Sequence, residues 1–184
     1  AFLGEKYPTD RLRVVQGDFM EWTAEEPADL VYSATAFHWL PASESYRKVF
    51  EILRPGGAAA IFRNHPYPAR MEDESNRVNE RVYQKYRPRD ICPPEFSADD
   101  CRPMLEALKA AGFQDVETRL FHRVRQLTTQ QYIGLLGTYS DHRAMPEEMR
   151  RAFETEMARE LDKIGGEIRI YDTIDLYLAR RPEL

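Results

Sequence analysis

The sequence predicts an α/β protein built on a mostly parallel sheet with helices on both faces. Three observations carry this. Asp29 leads into the apolar run Leu30-Val31-Tyr32, which ends in the small residues Ser33-Ala34-Thr35-Ala36. A second apolar run, Ala58-Ala59-Ala60-Ile61-Phe62, follows downstream. Between them Tyr46, Val49, Phe50 and Leu53 recur at i, i+3, i+4 and i+7, a stripe that covers one face of a sheet. Apolar runs of this length joined by a helix read as buried parallel strands. Strand, helix and strand within roughly 35 residues form a right-handed parallel unit.

The elements follow in order. Arg11 to Gln16 is expected as a strand entering a turn at Gly17-Asp18, and Glu21 to Ala28 as a loop containing Pro27. Asp29 to Ser33 is the next strand. Ser43 suits the N-cap of the following helix, with Glu44 favourable in its first turn. Pro55-Gly56-Gly57 ends that helix, and Ala58 to Phe62 is the second buried strand. Met71 to Tyr86 reads as a helix, with Val78, Val82 and Tyr86 at fourfold spacing. Arg87 to Phe96 holds Pro88, Pro93 and Pro94 and reads as loop.

Ser97 is the expected N-cap of a helix ending at Gly112, with Met104, Leu105 and Leu108 inward. Phe113 to Val124 alternates loosely and reads as a strand. Thr128 or Thr129 caps a short helix through Leu136. Pro146 suits a first helical position, and Met149, Phe153, Met157 and Leu161 form the apolar stripe of the helix that follows. Gly165-Gly166 ends it. Ile168 to Leu178 alternates apolar and polar residues and is the last strand. No internal repeat or linker interrupts the chain.

Composition limits the function classes. At 184 residues, 42% hydrophobic and 31% charged, the chain reads as one globular domain with a substantial core. A net charge of -5 argues against nucleic acid as a partner, because phosphate binding needs a basic surface. No apolar run approaches a membrane span. Cys92 and Cys101 are too few for a disulfide framework and read as free thiols of a cytoplasmic protein. The four histidines show no metal-ligand spacing. The expected partner is a small-molecule substrate, with no nucleic acid and no membrane, for a monomer or homodimer.

Three motifs in order carry a family resemblance: Val14-Val15-Gln16-Gly17-Asp18-Phe19, then Ala28 to Leu40 with Phe37-His38-Trp39, then Leu53-Arg54-Pro55-Gly56-Gly57 and its strand. Together they resemble the later two-thirds of class I S-adenosylmethionine-dependent methyltransferases, close to the type 11, trans-aconitate methyltransferase kind. The match is firm from Arg13 to Phe62 and looser after it. The resemblance implies a Rossmann-like sheet whose last strand is antiparallel. The acidic residue and GxGxG loop of that family do not occur in the sequence, and Gly4 is the only glycine before Gly17. The expectation is therefore an N-terminally incomplete domain that begins just ahead of the family's third strand.

The resemblance implies S-adenosylmethionine as cofactor. Asp18 would accept a hydrogen bond from the adenine amino group, with Phe19 beside it. Ser33, Ala34 and Ala36 would lie under the methionine moiety. Small residues there serve close strand–helix packing equally well. His38 and Trp39 offer an aromatic face to a sulfonium. His38 is also either a general base toward a hydroxyl or a satisfied, partly buried histidine.

An acceptor carboxylate is already ionised near neutral pH and needs alignment, not a base. A guanidinium clamp suits it, and Arg143 is the candidate, in the stretch with Tyr139. Asn64, His65 and Tyr67, following the strand Ala58 to Phe62, are candidates for another wall of the substrate pocket. Residues 64–96 and 125–165 are expected to cap the substrate.

The expected reaction is methyl transfer to a carboxylate or hydroxyl oxygen of a small molecule. The alternative is a non-catalytic Rossmann-like module that binds a nucleoside or a protein partner. A nicotinamide-dependent oxidoreductase is disfavoured, since the GxGxxG fingerprint is also missing.

Overall fold

The structure, a computed structural model, describes residues 12–88 and 94–183, without the side chain of Ser43. Four strands form one sheet in the order β1-β2-β4-β3. They are β1 (Ala28–Ala34), β2 (Leu53–Tyr67), β3 (Gln114–Thr128) and β4 (Glu167–Arg180). Strand β4 runs antiparallel to its neighbours. Gly56 N–H donates to Arg181 O at 3.0 Å while Arg181 N–H donates to Gly57 O at 2.8 Å. The helices are α1 (Ala42–Ile52), α2 (Glu74–Tyr86), α3 (Arg102–Ala110), α4 (Thr129–Leu136), α5 (Ser140–Arg143) and α6 (Glu147–Asp162), with 3-10 turns at Phe37–Trp39 and Ala98–Cys101. The mixed α/β, mostly parallel architecture with an antiparallel final strand is the one expected.

The contacts divide the chain into two compact units. The first holds residues 1–61, 107–116 and 178–184, and the second residues 62–106 and 117–177. The division falls within β2, β3 and β4.

In the first unit α1 packs on β1. Val49, Ile52 and Leu53 are buried, and Phe50 meets Phe113 edge-on at 5.1 Å between ring centroids. The Arg181 guanidinium lies over the Phe50 ring at 4.8 Å. It also donates to the carbonyls of Phe50 and Leu53, satisfying orphan acceptors where α1 ends.

Three expectations change here. Residues 12–16 form no strand, so Asp18 follows no strand among the described residues. Pro41, not Ser43, holds the N-cap position of α1. Pro55-Gly56-Gly57 lies within β2 and is not a helix-ending turn, because the helix stops at Ile52 and the chain pairs at once with its neighbours. Gly57 is needed there: a Cβ would come within 2.9 Å of Arg54 O and 3.0 Å of Ala28 O. The expected burial of β1 also fails. Leu30 and Tyr32 are exposed, and among the described residues β1 is an edge strand whose one neighbour is β2.

In the second unit α2, α4 and α6 pack together around Val78, Val82, Tyr132, Leu136, Phe153, Met157 and Leu161, with Ile168 and Ile170 of β4. Each large apolar side chain buried here contributes about 1.5–3 kcal/mol. Met149 stands apart from the expected stripe and is exposed in the first turn of α6. Pro146 sits at the N-cap of α6, one position before the first turn.

Asp73 caps α2 by accepting from Ser75 N–H at 2.9 Å, so that helix begins after Asp73 rather than at Met71. Ser97 and Asp100 form a capping box, as do Thr128 and Gln131 at α4. Cys101 is buried; Cys92 and Pro93 lie outside the described residues. No helix among the described residues is long and apolar enough to cross a membrane.

Candidate functional site

Two places in the chain carry the expected site residues. The first is the C-terminal end of β1 and the turn before it, in the first unit. Asp18 is exposed, and its Oδ1 accepts from Met20 N–H at 2.8 Å, an Asx turn. Phe19 is half-buried. Ser33 is half-buried and Ala34 and Ala36 are exposed, so the end of β1 is open rather than close-packed. Between them Thr35 takes φ +51, a left-handed conformation costly for a β-branched residue. Phe37 is buried against Tyr46, with ring centroids 5.0 Å apart. That contact turns the two rings that follow outward. Trp39 is 74% exposed, and His38 is exposed, 4.9 Å from it between centroids.

The second place is a cavity of about 780 Å³ within the second unit. Four of the five expected substrate residues line it: Asn64, His65, Tyr67 and Tyr139. The chain supplies them by extending β2 beyond Phe62, so that Asn64, His65 and Tyr67 stand on a strand. Arg143 is exposed and is not among the lining residues. The cation at the cavity is Arg87, which donates to Asp141 Oδ2 at 2.5 Å. The volume lies in the range of small-molecule pockets.

Two buried carboxylates of β4 organise this wall. Asp172 accepts from Asn64 Nδ2 at 3.0 Å and, in a fork, from Arg125 Nε at 2.5 Å and Nη2 at 2.9 Å; Arg123 Nε adds a bond at 3.1 Å. Burial alone raises a carboxyl, but the bonds from Arg125 and Asn64 outweigh it and hold Asp172 below its ordinary value. Asp175, fully buried, accepts from Arg63 N–H at 2.8 Å, Arg63 Nη2 at 3.3 Å and Tyr177 OH at 3.1 Å, and pairs with His65 Nε2 at 3.0 Å. The His65 ring stacks on Phe96, 3.7 Å between centroids and 10° from parallel.

The remaining walls are aromatic and come from α2 and α4 and the segment after α4. Tyr132, Tyr83 and Tyr139 line the cavity. Burial pushes the phenols of Tyr132 and Tyr83 well up, and that of Tyr139 up as well, so all three stay protonated. Tyr83 OH pairs with buried His142 Nε2 at 2.7 Å.

Asp172, Asp175, Tyr83, Tyr132, Asn79 and Arg87 went unpredicted. For the two acids a signal existed. Both sit in a strand otherwise rich in Ile, Tyr and Leu, Asp172 in register with Ile168 and Ile170 and Asp175 with Tyr177 and Ala179, so a single alternation marks only one of them as inside. For the others, helical periodicity marks burial but not which face meets a cavity.

No protein-family model matches the sequence, and no curated protein matches it. Solved structures do. A protein of Anaeromyxobacter dehalogenans assigned to the type II methyltransferases is 21% identical, with a TM-score of 0.54 over 86% of this chain and 66% of that one. The YcgJ protein of Bacillus subtilis is 15% identical, with a TM-score of 0.53 over 100% of this chain and 76% of that one. A Haemonchus contortus phosphoethanolamine N-methyltransferase 2, solved with S-adenosyl-L-methionine, is 16% identical at a TM-score of 0.39, and this chain covers 36% of it. That likeness is too low to carry argument. The first two show a shared Rossmann-like fold.

Proposed function

We propose that this chain takes part in S-adenosylmethionine-dependent methyl transfer to an oxygen of a small molecule held in the cavity of the second unit. The observation that carries the reading is the convergence of Asn64, His65, Tyr67 and Tyr139 on one cavity in a chain with a methyltransferase-like fold.

The residues at the end of β1 have the chemistry the cofactor asks for on two sides. Asp18 offers an exposed carboxylate to an exocyclic amine, and Trp39 with His38 offers exposed rings to a sulfonium, a contact of roughly 0.5–2 kcal/mol. Strain at Thr35 is of the kind stored at ligand-binding turns. When bound, S-adenosylmethionine supplies an electrophilic methyl group. The chain's own tasks are to hold the acceptor oxygen, orient it and exclude water, and proximity of this kind accounts for roughly 7–11 kcal/mol of a barrier.

Between the two expected acceptors, the cavity favours a hydroxyl over a carboxylate. Arg87 is the cation among its lining residues, and Asp141 already neutralises it. Arg143 lies outside the lining set. Among the described residues, a carboxylate would enter without a free guanidinium.

A second reading has its own support. Val14, Val15, Leu30, Tyr32 and Trp39 are exposed, all in the first unit, and large apolar side chains left in water are what a partner surface would cover. This favours a partner-binding module without catalysis. Calorimetry with S-adenosylmethionine and S-adenosylhomocysteine separates the two. Saturable binding weakened tenfold or more by Asp18→Ala with Trp39→Ala supports the methyl-transfer reading; no heat with either ligand removes it.

A further inference from the structure

We propose that His65 is the base of the cavity, that Asp175 positions it, and that the acceptor is a phenolic hydroxyl on a planar ring. This rests on the methyl-transfer reading and names its acceptor class. An ionised carboxylate only accepts hydrogen bonds. Three groups besides His65 already donate to Asp175: the Arg63 amide, its guanidinium and the Tyr177 hydroxyl. His65 Nε2 must therefore carry a proton in its 3.0 Å bond to Asp175. In the neutral ring this leaves Nδ1 as the basic nitrogen, and among the described residues it has no hydrogen-bond partner. The stack on Phe96 fixes the ring plane, and His65 itself lines the cavity. A buried acid that sets the tautomer of a half-exposed histidine is the arrangement that makes an imidazole a directed base.

The step is a proton transfer. The acceptor O–H bond breaks, its proton passes to Nδ1, and the electron pair stays on oxygen, giving a phenolate beside an imidazolium. Asp175 stabilises the imidazolium without taking the proton. Magnitudes select the phenol. Ordinary imidazole and phenol pKa values differ by about 3.5, or about 5 kcal/mol, a gap that hydrogen bonds and a neighbouring charge can close. An alkyl alcohol, with an acidity near that of water and far weaker than a phenol's, is out of reach. The aromatic walls, Phe96, Tyr67, Tyr83 and Tyr139, suit a planar ring. The charged groups facing His65 are Asp175 on β4, Arg63 on its own strand and Asp100 at the end of the 3-10 turn.

4-Nitrophenol tests this without the cofactor, because its phenolate absorbs visible light. One pH unit below the probe's own pKa about a tenth is phenolate in solution. The bound probe is expected to be mostly phenolate. His65→Gln should bind it more weakly by calorimetry, by several-fold to about tenfold, because the phenolate's share of the affinity is lost, and return it to about a tenth; Asp175→Asn should give an intermediate fraction. In the unmutated protein, the ¹⁵N resonance of His65 Nδ1 should move to its protonated position when the probe binds, which needs no variant to fold. A probe that fails to bind, binds as the neutral phenol, or stays phenolate in His65→Gln overturns the proposal. S-adenosylmethionine binding measured on the same sample separates the two ideas. Cofactor binding without phenolate removes the His65 role alone, and phenolate without cofactor binding removes methyl transfer alone.

Discussion

The hydroxyl of Tyr132 on α4 donates to Oδ1 of Asn79 on α2 at 2.6 Å, with both residues almost wholly buried. Asn79 Nδ2 in turn donates to Pro68 O at 3.0 Å, tying both helices to the segment that leaves β2. All three residues line the cavity. Tyr132→Phe leaves a buried acceptor without its donor, which costs about 1–3 kcal/mol. The double-mutant cycle with Asn79→Ala should show coupling of about 1 kcal/mol or more in urea unfolding. Additive losses would mean that the two side chains act independently.

Asp172 is a fully buried acid of the second unit, held by the fork from Arg125 and by Asn64. Removing one partner of a buried pair leaves a charge without compensation, at a cost of about 3–5 kcal/mol. Asp172→Asn should therefore lower stability by that amount near neutral pH. Arg125→Lys, which keeps the charge and loses the fork, should cost less. A loss below 1 kcal/mol for Asp172→Asn would show that the arginines find water instead. The acid also carries a sign. Its folded pKa is depressed, so its contribution is complete above the ordinary carboxylate range and fades as pH falls below it.

The strand–helix–strand unit, the capped helices α3 and α4 and the alternation of β4 were legible because each depends on local chemistry: apolar period, a Ser or Thr cap, a glycine stop. Residues 12–16 have the apolar content of a strand but do not form one, since a strand needs a neighbour that its own residues cannot specify. The same limit explains β1, whose apolar side chains are exposed on a sheet edge. In the cavity, Asn64, His65 and Tyr67 were legible because they follow a predicted strand. Arg143 is exposed in α5 while Arg87 lines the cavity, and sequence position does not say which guanidinium turns inward. The acids of β4 were hidden by their own pattern. Burial there switches parity between Asp172 and Thr173, both buried, and simple alternation does not show that.

Asp73 offers a cleaner pH test. Burial would raise it, but donors on Ser75, Tyr171 and Arg169 prevail and hold it down at about 2. Their distances are 2.9 Å from Ser75 N, 2.6 Å from Ser75 Oγ, 2.9 Å from Tyr171 OH and 3.1 Å from Arg169 Nη1. A carboxyl lowered from 3.8 to about 2 contributes about 2 kcal/mol. That stability is whole above pH 4 or so and is lost as pH falls toward 2. Asp73→Asn should remove about 2 kcal/mol at pH 7 and flatten the stability profile across that window. An unchanged acid limb in the variant would assign the acid sensitivity to Asp172 and the other carboxyls.

His142 produces a profile of the same sign at higher pH. Its ring is buried, bonded through Nε2 to Tyr83 OH at 2.7 Å, while its Nδ1 has no partner. Burial pushes its pKa below 6.5, against the pull of Asp141. The folded protein therefore holds the neutral ring while the unfolded chain takes a proton. Stability is complete above about pH 6.5 and falls as pH drops below it, levelling once the folded ring also protonates. His142→Phe keeps the edge contact with Phe153, 5.2 Å between centroids, and loses the bond to Tyr83. It should cost about 1–3 kcal/mol at pH 8 through the unpartnered hydroxyl. It should cost less at pH 5.5, where the original protein is already weakened. Thermal unfolding of both proteins across pH 5 to 8 reads this directly as two curves that converge toward acid. Parallel curves would mean that His142 titrates alike folded and unfolded, so that its burial carries no proton linkage.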